Sequence, residues 1–332
     1  MTEVGAALIG PSGMWGPRIA DAAARAPGLR VVTCYGRDED RRREFARERG
    51  VEAAASFEAA VEHPQVEAVL LVTPNDLHAE QALACAERGR HVFVEKPIAD
   101  TLEGAEQMRA ALAAAGLVLA VGHGMRRLGA ARRTKELLDD GALGTVVLAE
   151  ANWSLTSKPN PNAWRWYRER NRGGPVMQLG VHHADTLAYW LGPVARSFGT
   201  FGHLVTEAEA DDVGVVGVEF ESGARGVIAS SYVSPPTYSL RLFGSEAVLE
   251  YKIDMSVWPQ AERADATTTL ALRRAGETEQ LDFPQRDPLA EELDEFARAV
   301  RGDARPETGA EEGIAALGVI LDALTTQEQA SR

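Results

Sequence analysis

An apolar run, Val4 to Ile9, passes directly into Gly10-Pro11-Ser12-Gly13-Met14-Trp15-Gly16-Pro17 and then into an alanine-rich stretch reaching Ala26. The order is strand, glycine turn, helix. Glycine is needed where such a turn is tight, where backbone must approach a pyrophosphate, and where the helix must pack close on the strand, with phosphates resting on the helix N-terminus. Gly10, Gly13 and Gly16 can fill these three places. The spacing is G-x-x-G-x-x-G, so Ser12 stands where a second glycine is usual and the loop, with Met14 and Trp15, must run differently by one residue. Pro17 suits the first helical position, where its missing N–H is no loss. A glycine turn that binds nothing remains the alternative to a dinucleotide site.

Three more strand-like runs follow, separated by helical stretches. The run Leu29 to Tyr35 ends in Gly36 and Arg37, about 20 residues past the glycine loop, where an NAD site places an acid for the ribose hydroxyls. Without that acid nothing repels a 2′-phosphate, and the Arg37 guanidinium can bind it bidentately, which favours NADP. The alternative is that Arg37 caps a solvated turn and Asp38 serves NAD in a shifted register. The run Val66 to Val72 leads into Thr73-Pro74-Asn75-Asp76-Leu77-His78, and His91 to Val94 leads into Glu95-Lys96-Pro97. Strands alternating with helices predict a parallel sheet, and ligands bind outside the carboxyl ends of its strands. The three loops converge on that edge. A lysine there can touch a reacting oxygen.

Together the glycine loop, VTPNDLH and VEKP resemble the glucose-fructose oxidoreductase/inositol dehydrogenase/MocA family. The resemblance extends through Gly122 to Arg127 and through Gly173-Gly174-Pro175 to Asp185. It implies an N-terminal Rossmann dinucleotide-binding domain over residues 1–122, and a substrate-binding and oligomerisation α+β domain over 123–332 with an open, mainly antiparallel sheet. The implied activity is hydride transfer between NADP, or NAD, and a carbinol or carbonyl of a sugar, polyol or related cyclic compound. It also implies a catalytic His182 beside Lys96. Cofactor-binding residues would be Gly10, Ser12, Gly13, Met14, Trp15, Gly16, Arg37, Thr73, Pro74, Asn75, His78, Glu95, Lys96, Pro97 and Arg126. Trp164 and Arg165 would wall the nicotinamide and substrate pocket, with Gln178 also touching substrate. A non-catalytic dinucleotide-binding regulator and a glycosidase working by transient oxidation with tightly held NAD stay open as alternatives.

Within the predicted helix Gln178 to Trp190, residues Gln178, His182, Asp185 and Tyr189 fall at helical spacing on one face. His183 points about 100° away from His182 and packs or meets solvent. An imidazole titrating near neutrality serves as base in oxidation and acid in reduction. Family members commonly carry an aspartate where this chain has Gln178. Asp185, one turn after His182, is the alternative source of charge.

Beyond Gly122 the strand-like runs Val146 to Ser154, Val213 to Glu221, Ala224 to Tyr232, Tyr238 to Phe243 and Ala247 to Tyr251 are joined in part by tight turns at Ser222-Gly223 and Gly244-Ser245. They predict antiparallel pairing. The resemblance implies that the free face of this sheet mediates self-association, as a homodimer or homotetramer; otherwise Val213, Val215, Ile228 and Trp153 would leave apolar surface in water. Leu289, Leu293, Phe296 and Val300 recur at helical steps and read as core.

The chain has 332 residues, 45% hydrophobic and 25% charged, with a formal net charge of −14. That balance speaks against nucleic acid or anionic membrane as partner. Arg41-Arg42-Arg43 sits among acids and reads as a solvated face. The two cysteines, Cys34 and Cys85, lie in apolar patterns and suit a reducing compartment. With no leader visible, a cytoplasmic location is expected. No ligand-spaced His/Cys/Asp cluster predicts a metal.

Overall fold

The computed structural model describes residues 3–157, 160–257 and 261–330. Lys158 and Pro159, the first two residues of the arginine-rich loop read over residues 158–172, lie outside the described residues. Two compact units emerge: residues 1–123 with 289–314, and residues 124–288 with 315–332.

In the first unit the chain runs β1 (Val4–Ile9), α1 (Gly16–Arg25), β2 (Leu29–Tyr35), α2 (Glu39–Arg49), β3 (Glu52–Ala53), α3 (Phe57–Val61), β4 (Ala68–Leu71), α4 (His78–Glu87), β5 (His91–Glu95), α5 (Leu102–Ala114) and β6 (Leu119–Gly122). The six strands form one parallel sheet in the order β3-β2-β1-β4-β5-β6. β1 and β4 are buried along their whole length, as strands covered on both faces must be. Strand order reverses between β1 and β4, which opens a crevice at the end of β1 where Gly10 begins the turn. Helix starts are set locally. Asp38, Ser56 and Thr101 each accept a hydrogen bond from a backbone N–H of the first turn of α2, α3 and α5.

The second unit contains α6 (Gly129–Asp139), β7 (Val146–Thr156), α7 (Val181–Leu191), β8 (Val194–Gly202), β9 (Val213–Phe220), β10 (Arg225–Ser231), β11 (Val233–Gly244), β12 (Val248–Ile253), β13 (Thr268–Arg274) and β14 (Glu277–Gln280). Its open eight-stranded sheet has the order β14-β13-β12-β11-β7-β10-β9-β8. Every pair is antiparallel except β7 with β10. The hairpin turns expected at Ser222-Gly223 and Gly244-Ser245 join β9 to β10 and β11 to β12, and Gly223 takes a φ of +90°. Three further strands, β8, β13 and β14, carry weaker apolar alternation.

The exposed face is the expected one at Val215, with Val213 half-buried, and differs at Trp153 and Ile228. Trp153 and Ile228 are buried at 1% and 0%, whereas Val147, Phe198 and Val215 are exposed. Strand alternation decides this for Trp153 on β7 and Ile228 on β10, which share the covered face with Ala149, Ala151 and Val216.

Helix α8 (Pro288–Val300) departs from the sequence reading by packing into the first unit. Phe296 lies 5.9 Å from Phe93, and Arg301 donates to the Glu67 carboxylate at 2.6 and 2.9 Å. Leu289, Leu293 and Phe296 are core as predicted, while Val300 is only half-buried. The last helix, α9 (Ala310–Ala330), lies mostly in the second unit, where Ser197 donates to the Val319 carbonyl at 2.7 Å. Amphipathic spacing shows that a helix has a buried face and is silent on which unit buries it. Among the described residues no helix is long and apolar enough to cross a membrane.

Candidate active site

In the first unit the glycine turn is shaped by close approach. Gly10 has a φ of +97°, and a Cβ on Gly16 would sit 2.4 Å from the Pro11 carbonyl oxygen. A Cβ on Gly13 would meet nothing nearer than 3.6 Å. Trp15 begins α1 without a side-chain cap, so the first N–H groups of a ten-residue helix are turned toward this loop. Met14 is 62% exposed. Gly36 faces the same loop: a Cβ there would lie 3.2 Å from Pro11 and 3.7 Å from the Ser12 hydroxyl. A glycine cradle, uncapped helix N–H groups and a side-chain-free strand end are what a dinucleotide requires, so these residues fit one.

Beside the cradle, Asp38 accepts from Arg41 N at 3.0 Å to cap α2, and its carboxylate also meets the Arg41 guanidinium. Arg37 is exposed and forms no ion pair among the described residues. Arg42 corrects the reading of a wholly solvated basic run. It is buried, donates to the Gly36 carbonyl at 2.8 Å and lies over the Tyr35 ring.

At the ends of β4 and β5 the side chains are sunk into the unit. Asn75, His78, Glu95 and Lys96 are all buried. Thr73 donates its hydroxyl to Gln81 at 2.6 Å. The His78 ring spans two loops, with Nε2 2.9 Å from the Thr73 carbonyl oxygen and Nδ1 3.0 Å from that of Pro97. Burial pushes the Glu95 carboxyl up to about 7, against the opposing pull of Lys96 and its backbone N–H. That N–H lies 3.3 Å from Glu95 Oε2. Gly122, paired with Glu95 across β5 and β6, leaves room for the carboxyl, since a Cβ there would fall 3.2 Å from Oε1.

In the second unit, α7 is entered through a π-helical turn over Val176–Gly180, reached from Gly173 and Gly174 with φ of +74° and +48°. A π turn holds more residues than an α turn, so phase extrapolated from ideal helix geometry slips across it. The single polar face expected there is accordingly divided among different partners. Gln178 Nε2 donates to Asn171 Oδ1 at 3.1 Å. His182 is 5% exposed and stacks 4.9 Å from the Trp153 ring. Asp185 takes a two-pronged ion pair from Arg126, with Nε at 2.9 Å, and the Tyr189 hydroxyl accepts from Arg132 at 2.8 Å. Arg126 is thus buried against Asp185 and lies 5.0 Å from the Tyr189 ring. His183 is fully buried between Trp153 and Tyr238, and burial pushes its imidazole down to about 3.

The arginine-rich loop is largely engaged within its own unit. Arg165 stacks 4.3 Å over Trp164, both half-buried, Arg168 meets Asp211 at 3.2 Å and Arg172 meets Glu328 at 3.2 Å. Asn171 donates to the Arg165 carbonyl at 3.1 Å, which ties this loop to Gln178. The partnerships of Asn171, Arg42 and Arg126 were beyond sequence reasoning, because each joins residues with no common motif. Among the described residues no group of three or more metal-ligating side chains is gathered.

Comparison with known proteins agrees across nearly the whole chain. Residues 4–123 match the oxidoreductase family model with an NAD-binding Rossmann fold, and residues 131–250 match the GFO/IDH/MocA C-terminal domain. The 1,5-anhydro-D-fructose reductase of Ensifer adhaerens is 30% identical over 303 residues, covering 90% of this chain and 89% of the reductase. The D-xylose 1-dehydrogenase (NADP(+)) 2 of Haloferax volcanii is 29% identical, covering 94% of each. A crystal structure of a provisionally assigned NADPH-dependent oxidoreductase from Desulfitobacterium hafniense superposes with a TM-score of 0.94 at 35% identity, covering 99% of this chain and 97% of the other. With its cradle at the end of β1, its lysine at the end of β5 and both family domains matched, the chain belongs to the glucose-fructose oxidoreductase/inositol dehydrogenase/MocA family of dehydrogenases and reductases.

Proposed function

We propose that this protein is an NADP(H)-preferring oxidoreductase acting on a carbinol, or the corresponding carbonyl, of a sugar, polyol or related cyclic compound. The observation that carries this reading is Lys96, buried at the end of β5 on the same sheet edge as the glycine cradle. The pyrophosphate would rest on the Gly10 to Gly16 turn and the N-terminus of α1, with Thr73, Pro74 and Asn75 beside it. NADP is favoured because Asp38 is committed to capping α2 while Arg37 is exposed and free of acids among the described residues. The relative from Haloferax, named for NADP(+), points the same way.

When bound, the nicotinamide dinucleotide supplies the hydride acceptor or donor. Lys96, as the ammonium, stabilises negative charge growing on the substrate oxygen. His182, as neutral imidazole, takes the hydroxyl proton in oxidation and returns it in reduction. Arg126 holds Asp185, so the Asp185 charge is directed to the guanidinium, and Gln178 serves as an amide donor anchored on Asn171. Trp164 and Arg165 form an apolar and cationic plate suited to a sugar face. Self-association uses the outer face of the C-terminal sheet, where Phe198 and Val215 are exposed.

A panel of 1,5-anhydro-D-fructose, D-xylose and myo-inositol, run with each cofactor in both directions, tests the reading. Turnover with net change in cofactor redox state supports it. Binding without turnover on a wider sugar and polyol panel would favour a regulator, and release of the aglycone from an added glycoside without net cofactor reduction a glycosidase.

A further inference from the structure

We propose that His78 is a positioning residue for Lys96, acting through a hydrogen bond from its Nδ1 to the Pro97 carbonyl. The inference rests on the role given to Lys96 above. His78 opens α4, is 1% exposed and sits with both ring nitrogens at hydrogen-bonding distance from main-chain carbonyls. Both ring nitrogens face main-chain carbonyls within the unit, so an indirect role is argued for His78 in place of the predicted cofactor contact.

A carbonyl oxygen only accepts, and a neutral imidazole carries one N–H, so one proton must choose between two acceptors. The Pro97 contact is fully buried, whereas the Thr73 contact is partly open to solvent. An unpaired acceptor costs more where water cannot reach it, which places the proton on Nδ1. The bond then ties the loop immediately after Lys96 to the start of α4, across 19 residues of sequence. Lys96 precedes the anchored carbonyl by one residue, so the anchor limits where its ammonium can stand. Small displacements of a catalytic group carry large rate penalties.

Two amide replacements separate the contacts. Asparagine places its amide nitrogen near the Nδ1 position, and glutamine places its own near Nε2. In the full chain without cofactor, the rate at which acetic anhydride labels Lys96, read by mass spectrometry, should stay within about twofold in His78→Asn and change about fivefold or more in His78→Gln. Turnover of a panel sugar should fall about tenfold in His78→Gln alone, with the NADPH dissociation constant held within about twofold. Equal labelling of Lys96 in both variants and the parent would overturn the proposal. Should either variant fail to fold, histidine-selective ¹⁵N spectra of the unmodified protein decide: a protonated His78 Nδ1 at neutral pH supports the proposal, and an unprotonated one ends it. If Lys96→Met retains turnover, the reading of Lys96 falls, while labelling and spectra still judge the anchor separately.

Discussion

The end of β5 and the start of α7 both bury polar groups, but they satisfy them in opposite ways. Around β5, the ring of His78 and the carboxyl of Glu95 meet main-chain atoms, of Thr73 and Pro97 for the ring and of Lys96 for the carboxyl. Around α7, Asp185 and Gln178 meet side chains, with Arg126 separated from Asp185 by 59 residues. Main-chain partners survive most substitutions nearby, whereas a side-chain partner disappears with a single one. The first region should therefore be tuned by local geometry and the second by pairwise complementarity.

The largest effects should come from the groups assigned to chemistry. Lys96→Met and His182→Ala should each reduce kcat by about 10²–10⁴ while cofactor affinity holds, with His183→Ala mild in comparison. Steady-state kinetics with fluorescence titration of NADPH checks this, and a mild Lys96→Met would remove the first region from the reaction.

Next in size is the buried ion pair. Arg126→Met leaves the Asp185 carboxylate buried without its guanidinium and should destabilise the protein by about 3–5 kcal/mol, whereas Arg126→Met with Asp185→Leu should recover most of that loss. Denaturant unfolding of both variants is the measurement. Equal losses would show that side-chain pairing is not what distinguishes the second region.

Arg37→Ala should cost NADP binding about 1.5–3 kcal/mol and leave NAD binding nearly untouched. Titration of both cofactors reads this directly, and tighter binding of NAD by the unmodified protein would refute the preference.

The smallest effect, a change in slope, separates the two regions by sign. Glu95 is raised to about 7 in the fold, so its contribution is present below the ordinary carboxyl value of 4.5 and is lost as pH climbs from there through 7. His183 is depressed to about 3, so its contribution is present above 6.5 and is lost as pH falls toward 3. Glu95→Gln should flatten the loss on the rising side, and His183→Gln the loss on the falling side. Melting temperatures across pH 4 to 8 in both variants distinguish them.

The amino-acid sequence by itself determined the parallel sheet, the glycine cradle and the strand-end placement of Lys96, because each depends on neighbours within a few residues. Gly10 must accept a positive φ, Pro17 must sit in the first turn, and an all-apolar β4 must be buried on both faces. The same locality made the hairpins at Gly223 and Ser245 legible. Tertiary structure alone decided that α8 packs into the first unit, that Trp153 and Ile228 turn to the covered face, and that Arg126 is bound to Asp185. It also decided the phase of Gln178 against His182, since a π turn is set by what packs around it. Periodicity records that a residue is buried. Which partner buries it is decided by the closing of the chain on itself, where the cost of an unpaired buried charge or carbonyl selects among distant residues.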